Sequence, residues 1–141
     1  NLLEFLNSLR GKEGGNGKRN SGVGGIKDSA GNITGIDDLY ILGVFFDFWF
    51  SEGAVIYPEF IAIVEMLSDL KERGIRIHLC EGNHDFFLAD YFTGQLGFEV
   101  ITEWAAINLD GRRVLISHGD TVDERNRKYL LLRRFLRSRF F

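Results

Sequence analysis

Residues 75–85, IRIHLCEGNHD, decide the fold, because a short strand runs there directly into a polar turn. IRIHLC (75–80) is a short, largely apolar run with two isoleucines and predicts a buried strand, while EGNHD (81–85) has nothing to bury. Residues 58–73 before it carry an apolar stripe at helical spacing, and Pro58 and Gly74 are typical of a helix start and a helix end. Helix followed by strand predicts an α/β unit.

The neighbouring segments extend this unit. Residues 39–42 read as a second buried strand ended by Gly43, residues 100–104 and 105–109 as weaker strands, and residues 110–111 as a hairpin turn into a strand at 113–117. Residues 85–96 and 123–141 predict helices. We therefore expect an α/β domain whose helices flank a mostly parallel sheet, with strands 39–42, 75–80 and 114–117 adjacent.

The first 35 residues have a different texture. Residues 1–10 have leucines at helical spacing and predict a helix, whereas residues 11–35 hold nine of the 17 glycines and predict a flexible, exposed loop. The loop lacks the GxxxxGK[ST] pattern of a phosphate-binding loop and is interpreted as an insertion. Residues 36–141 then form the core. Because the chain opens and closes in helical pattern, we expect a piece of a larger domain.

Composition excludes several classes of function. The chain has 141 residues, 45% hydrophobic and 26% charged, with a net charge of −3, which suits one domain and disfavours general nucleic-acid binding. Cys80 is the single cysteine, so an intrachain disulfide is impossible and a reducing, cytoplasmic location is expected. No apolar run reaches the roughly 18–20 residues of a membrane span.

Three predicted strands end in polar turns, at residues 43–47, 81–85 and 117–120. Two of the three histidines, His84 and His118, lie in these turns, while His78 lies within a strand and is expected to be a structural histidine. Ligands of α/β folds bind beyond the carboxyl ends of strands. Imidazole, amide and carboxylate groups gathered there are the ligands of a divalent-metal phosphoesterase, in which two cations clamp the attacking and leaving oxygens.

The motifs GNHD (82–85) and HGD (118–120) resemble those of the calcineurin-like metallophosphoesterases. LYILGVFFDFWF (39–50), EGNHDFFLADYF (81–92) and the stretch after residue 114 are similar to the UDP-2,3-diacylglucosamine hydrolase branch of that family. The resemblance covers residues 39–139 and extends to the helix at 1–10. It implies a sandwich of mixed sheets flanked by helices, two divalent ions with Mn²⁺ favoured, and cleavage of UDP-2,3-diacylglucosamine to lipid X and UMP in lipid A biosynthesis.

The resemblance also implies roles for residues in the turns. Asn83 and His118 would bind one metal, His84 would lie over the scissile phosphate, and Asp85 would orient His84. Asp120 would steady the turn that carries His118.

Three further positions follow from the same resemblance. Asp47 would lie behind the ligands, after the Gly43 turn. Asn126 and Tyr129, on the helix after HGD, would contact the glucosamine part of the substrate.

The chain departs from the family pattern at the metal ligands. The family's first motif, DxH, and last motif, GHxH, do not occur in the 141 residues, and Val44 stands where a carboxylate should bridge the two metals. Valine has no lone pair to donate, so we expect an impaired hydrolase.

Three other hypotheses remain open. The chain could be an inactive pseudoenzyme or binding fragment of the same fold, or another calcineurin-like phosphoesterase. Alternatively, the arginine-rich helix at 123–141 could rest on an anionic membrane surface. Since its leucines are expected to face the sheet, membrane contact ranks as a secondary role.

Overall fold

The computed structural model describes residues 4–6, 26–27, 33–43, 45–46, 49, 51–52, 55–109 and 111–138. The elements in chain order are β1 (Ile26–Lys27), β2 (Ile33–Thr34), β3 (Asp38–Leu42), β4 (Ser51–Glu52), β5 (Val55–Ile56), α1 (Pro58–Glu72), β6 (Arg76–Cys80), a π-helical turn (Ala89–Thr93), β7 (Glu99–Ile101), β8 (Trp104–Leu109), β9 (Arg112–Ser117) and α2 (Arg127–Leu136).

The main sheet is parallel and has three strands in the order β3-β6-β7. α1 connects β3 to β6, as a parallel pair requires a crossover. Tyr57 is extended and Pro58 occupies the first turn of α1, while Gly74, at φ 92°, ends the helix where a side chain would be strained. Parallel and antiparallel sheets with flanking helices confirm the predicted mixed α/β class.

β9 does not join this sheet, which corrects the prediction that residues 114–117 lie beside the other two strands. β9 pairs with β8 in an antiparallel two-stranded sheet of its own. The short connection at residues 110–111 favours this local pairing, and the side chain of Asn108 accepts a hydrogen bond from the Gly111 amide at 2.9 Å to close it. Local hairpin closure therefore determined the partner of β9.

Several predicted boundaries also change. The helix expected at 85–96 is reduced to the π-helical turn, and the helix expected from residue 123 begins at Arg127, after Asn126. Within the predicted loop at 11–35, β1 and β2 form a short antiparallel pair. Residues 4–6 are helical, whereas 11–25, 28–32 and 139–141 lie outside the described residues.

The hydrophobic core lies between α1 and the parallel sheet. Leu67 and Leu70 of α1 are fully buried, as is Leu79 of β6 at 1% exposure. Leu6 is also 1% exposed and belongs to this cluster, so the N-terminal helical turn packs on the core. Beside it lies a group of interlocked aromatic rings, formed by Phe46, Trp49, Phe60, Tyr91, Phe92 and Phe98. This packing fixes the turn after β3 against the main sheet.

His78 lies in the middle of β6, away from the polar turns, and is structural as expected. Its ring stacks on Tyr40, with centroids 4.1 Å apart. Its Nδ1 lies 2.6 Å from Glu99 and its Nε2 lies 2.7 Å from Asp38. These contacts tie together the three strands of the main sheet.

Asp38 gives this cluster a pH dependence. Arg76 binds its carboxylate with two nitrogens, and this hydrogen bonding lowers the pKa of Asp38. A carboxyl group whose pKa is lower in the folded state stabilises the fold above its unfolded pKa, and that contribution disappears as the pH falls through the folded value. We therefore expect Asp38→Asn to cost about 1 kcal/mol at pH 7, as for a well-formed ion pair near the surface. Urea unfolding of both proteins from pH 7 to pH 2.5 should show the difference shrinking below about pH 4; a constant difference would contradict this reading.

Candidate functional site

The three polar turns meet at one edge of the molecule, as the sequence predicted. Leu42 is paired with Cys80, so Gly43 and Glu81 leave the sheet side by side, and the Gly43 amide donates to the Cys80 carbonyl at 2.9 Å. His118 follows β9 and packs against Gly43: a Cβ built on Gly43 would lie 1.9 Å from His118 Nδ1. The hairpin therefore delivers His118 to the carboxyl edge of the parallel sheet without belonging to that sheet.

Asn83 and His118 are in direct contact. Asn83 Oδ1 lies 3.1 Å from His118 Nε2, although the residues are 35 positions apart in the chain. Two ligand atoms bound to one cation at about 2.1 Å, at tetrahedral or octahedral angles, lie roughly 3.0–3.4 Å apart. The distance is that of a hydrogen bond between the two side chains, and it also falls within the spacing of two neighbouring ligands of a single metal ion.

The remaining ligands are not found among the described residues. In that part of the chain, no three His, Cys, Asp or Glu side chains form a group that could hold a metal ion. Val44 and Asp47, the predicted bridging position and the carboxylate behind it, lie outside the described residues. The pair thus fits two positions of a coordination sphere and no more.

Asp85 is fully buried and binds the neighbouring turn. Its Oδ2 accepts hydrogen bonds from the amides of Phe45, at 2.5 Å, and Phe46, at 3.4 Å. Burial raises the pKa of Asp85, and the two amides oppose that rise. Asp85 thereby fixes the backbone just after residue 44. Its predicted action on His84, which is exposed at the rim of the turn, stays a prediction.

Asp120 joins the His118 turn to α2. Its Oδ2 accepts hydrogen bonds from the Tyr129 hydroxyl at 2.5 Å and from Arg133 Nε at 3.0 Å. Burial and the bond to Asp120 raise the pKa of Tyr129 to about 12, so the phenol stays protonated and donates. Asn126 caps α2, its side chain accepting from the Tyr129 amide at 3.3 Å. Both residues predicted to contact the sugar are thus engaged in the fold, and their contact with a substrate stays a prediction.

Sequence reasoning missed Glu81 and Arg137. Glu81 is 2% exposed; one carboxylate oxygen accepts from the Leu88 amide at 3.0 Å and the other binds Arg137. Burial raises the pKa of Glu81, and Arg137 opposes that rise. The available signal was the spacing of Tyr129, Arg133 and Arg137, four residues apart on one helix face.

The side of α2 that is buried is the opposite of the side expected from its leucines. Arg133 is 8% exposed, whereas four large apolar side chains are 44–70% exposed: Leu131, Leu132, Phe135 and Leu136. The expectation that the leucines face the sheet is wrong, because Glu81 is buried and the Asp120 side chain is 11% exposed, and the arginines that pair with these acids occupy the inward side of the helix.

A substitution at Gly43 tests the packing of His118 against the turn after β3. Gly43→Ala should lower the free energy of unfolding by about 2–5 kcal/mol, because positive φ costs about 1–2 and the collision with His118 about 1–3. Gly74→Ala is the control: φ is also positive there, and no described atom lies within 4 Å of its Cβ. Chemical denaturation of both variants measures the difference. An equal cost at the two positions would mean that His118 does not pack on Gly43.

The comparison with known proteins agrees with the interpretation of the site. No family model matches the chain. The UDP-2,3-diacylglucosamine hydrolase of Stutzerimonas stutzeri (strain A1501) is 38% identical over 109 residues, which cover 77% of this chain and 45% of that protein. Those of Pseudomonas syringae pv. syringae (strain B728a) and Pseudomonas fluorescens (strain Pf0-1) are 36% identical over 77% of this chain and over 43% and 44% of their own lengths.

These matches place the mixed α/β chain among relatives named as hydrolases. They confirm the resemblance found in the motifs: the chain is a homologue of the UDP-2,3-diacylglucosamine hydrolases. It spans less than half the length of these relatives. No helix in the described part of the chain has the length and apolar character needed to cross a bilayer.

Proposed function

We propose that this chain forms part of a metal-dependent hydrolase that cleaves UDP-2,3-diacylglucosamine to lipid X and UMP in lipid A biosynthesis. The contact between Asn83 Oδ1 and His118 Nε2 carries the proposal, because it brings two metal-ligand types from two motifs to one edge of the sheet. The names of the relatives support the choice of substrate. The cytoplasm is the proposed compartment.

Divalent ions, with Mn²⁺ favoured, would supply charge neutralisation at the phosphate oxygens when bound. Asn83 and His118 would hold one of them. His84, exposed and next to Asn83 in the chain, would stabilise negative charge on the phosphate or protonate the leaving oxygen. Asp85 would keep the turn after residue 44 in place through its bonds to the Phe45 and Phe46 amides.

Val44 would weaken this site because it cannot bridge two cations. A chimaera separates this effect from the rest of the chain: the matching 109 residues of the Stutzerimonas stutzeri relative are replaced by those of this chain, with Val44 or with Val44→Asp. UMP release from UDP-2,3-diacylglucosamine with Mn²⁺ is the readout. We expect turnover with Val44→Asp and much slower turnover with Val44. Failure of both chimaeras, when both fold and bind substrate, would instead support a pseudoenzyme or binding fragment.

A second proposal concerns the surface of α2. Its exposed face combines Leu131, Leu132 and Phe135 with the exposed basic side chains of Arg127 and Arg134. Apolar and basic side chains on one exposed helix are typical of proteins that rest on anionic membranes. We propose peripheral contact with the membrane that carries the lipid substrate.

Vesicle sedimentation tests this contact. The chain should bind vesicles containing anionic phosphatidylglycerol more strongly than neutral ones, and Leu131→Ser/Phe135→Ser should reduce that binding at least fivefold. Binding that is equally strong to neutral vesicles, or unchanged in the double variant, would contradict the proposal.

A further inference from the structure

Three polar side chains spaced four residues apart lie on the inward side of α2, two within the helix and one at its C-cap, and we call them the α2 stripe: Tyr129, Arg133 and the C-cap residue Arg137. Residues four apart lie above one another on a helix, so the stripe forms a single row. Each member contacts a carboxylate: Tyr129 and Arg133 bind Asp120, and Arg137 binds Glu81.

These carboxylates belong to the two turns that carry the metal-ligand pair. Asp120 is two residues after His118, and Glu81 is two residues before Asn83. Glu81 also accepts a bond from the Leu88 amide at 3.0 Å, so it closes the segment that contains residues 83–85. One rigid helix therefore holds both turns at the same time.

The contacts between the α2 stripe and the two turns are largely buried. The side chains of Arg133 and Asp120 are 10% and 11% exposed, and that of Glu81 is 2% exposed. A buried carboxylate without its partner must either find another donor or move toward water. Loss of one arginine should therefore shift the turn that it holds.

Arg133 has an additional contact outside the two turns. Its Nη1 lies 3.6 Å from a carboxylate oxygen of Glu103, at the start of the β8–β9 hairpin. The same side chain thus contacts the beginning of the hairpin and Asp120 just beyond its end. This is a second constraint on the direction in which His118 leaves β9.

We propose that Arg133 and Arg137 are positioning residues, which hold Asn83 and His118 at contact distance by anchoring their two turns to one helix. Neither arginine needs to touch the substrate or a metal. The assignment of Asn83 and His118 to a metal site rests on the proposed function, but the contact between these two residues can be tested without measuring any activity. A failure of the positioning proposal can therefore be distinguished from a failure of the proposed function.

The test uses NMR on the chain without added metal. The ring ¹⁵N and ¹H signals of His118 and the side-chain amide signals of Asn83 report their contact, and hydrogen exchange at Leu88 reports the Glu81 turn. Arg133→Gln and Arg137→Gln are compared with Arg134→Gln, which removes the same charge from the exposed face of α2. The signals of His78, which lies in β6 and contacts β3, serve as the check on global folding.

We expect both inward variants to shift the His118 and Asn83 signals, with His78 unchanged, and Arg137→Gln to speed Leu88 exchange at least tenfold. Arg137→Lys, which keeps the charge, should restore much of the parental spectrum. Arg134→Gln should match the parent. The proposal is overturned if His118 and Asn83 keep their parental signals in both inward variants, or if Arg134→Gln perturbs them equally.

A variant that fails to fold still leaves a decisive comparison. Glu81→Gln/Arg137→Gln removes both charges and leaves no unpaired buried ion, so it should fold. In that protein the Asn83 and His118 signals should still differ from the parent, because two neutral amides hold the turn less firmly than the ion pair. Parental signals there would show that Arg137 only balances a charge.

Discussion

His84→Ala should reduce the rate of UMP release by about 10²–10⁴-fold in the Val44→Asp chimaera described above. His84 is exposed at the rim of the turn whose base is fixed by the buried Asp85, so its ring is accessible to a phosphate while the backbone stays in place. A group that donates a proton or stabilises charge in the transition state contributes a rate factor of this size. Because it acts on the reaction and not on binding, kcat should fall much more than KM rises.

Steady-state kinetics over a range of substrate concentrations measure this separation. Glu65→Gln serves as the control, since Glu65 is exposed on α1 and belongs to neither the candidate site nor the proposed membrane surface. If His84→Ala changes kcat less than threefold, His84 has no part in the chemical step.

Arg137→Ala should lower the free energy of unfolding by about 3–5 kcal/mol. The substitution leaves the Glu81 carboxylate, which is 2% exposed, without the cation that compensates its burial. Arg137 also packs over Phe86, with its guanidinium carbon 5.7 Å from the ring centroid, so the substitution removes a packing contact as well. A buried ion that loses its partner is among the most destabilising changes a folded protein can undergo.

Urea denaturation of Arg137→Ala and of Arg134→Ala at pH 7 provides the measurement. The second variant should remain within about 0.5 kcal/mol of the parent, as is usual for surface substitutions. A further change of Glu81→Gln in the Arg137→Ala background should recover part of the loss, because it removes the unpaired charge. A cost below 1 kcal/mol for Arg137→Ala would mean that the ion pair contributes little to the fold.

The parallel half of the fold follows from local sequence signals. Pro58 and Gly74 delimit α1, and the apolar runs around Leu39 and Leu79 form the paired strands β3 and β6. Each of these signals lies within the element it predicts. The convergence of the turns after β3 and β6 follows as well, because parallel strands end at the same edge of a sheet, whereas the turn that carries His118 is brought there by the antiparallel β8–β9 hairpin.

The pairing of β8 with β9 and the orientation of α2 depend on contacts that the periodicity of the sequence cannot reveal. The leucines of α2 predicted an inward apolar face, but Arg137 is held by Glu81, 56 residues away in the chain. The partner of β9 was decided by the tight 110–111 connection and not by its apolar pattern. Motifs therefore indicated Asn83 and His118 as candidate ligands, whereas the side chains that anchor their turns became visible only in three dimensions.

We propose that Asn83 and His118 bind the same cation. The most direct measurement is the Mn²⁺ dependence of UMP release by the Val44→Asp chimaera and by its Asn83→Ala and His118→Ala variants. We expect each variant to require at least 10- to 100-fold more Mn²⁺ for half-maximal rate, since even residues that only support metal ligands have effects of that size. An unchanged Mn²⁺ requirement in both variants would contradict a shared cation site at Asn83 and His118.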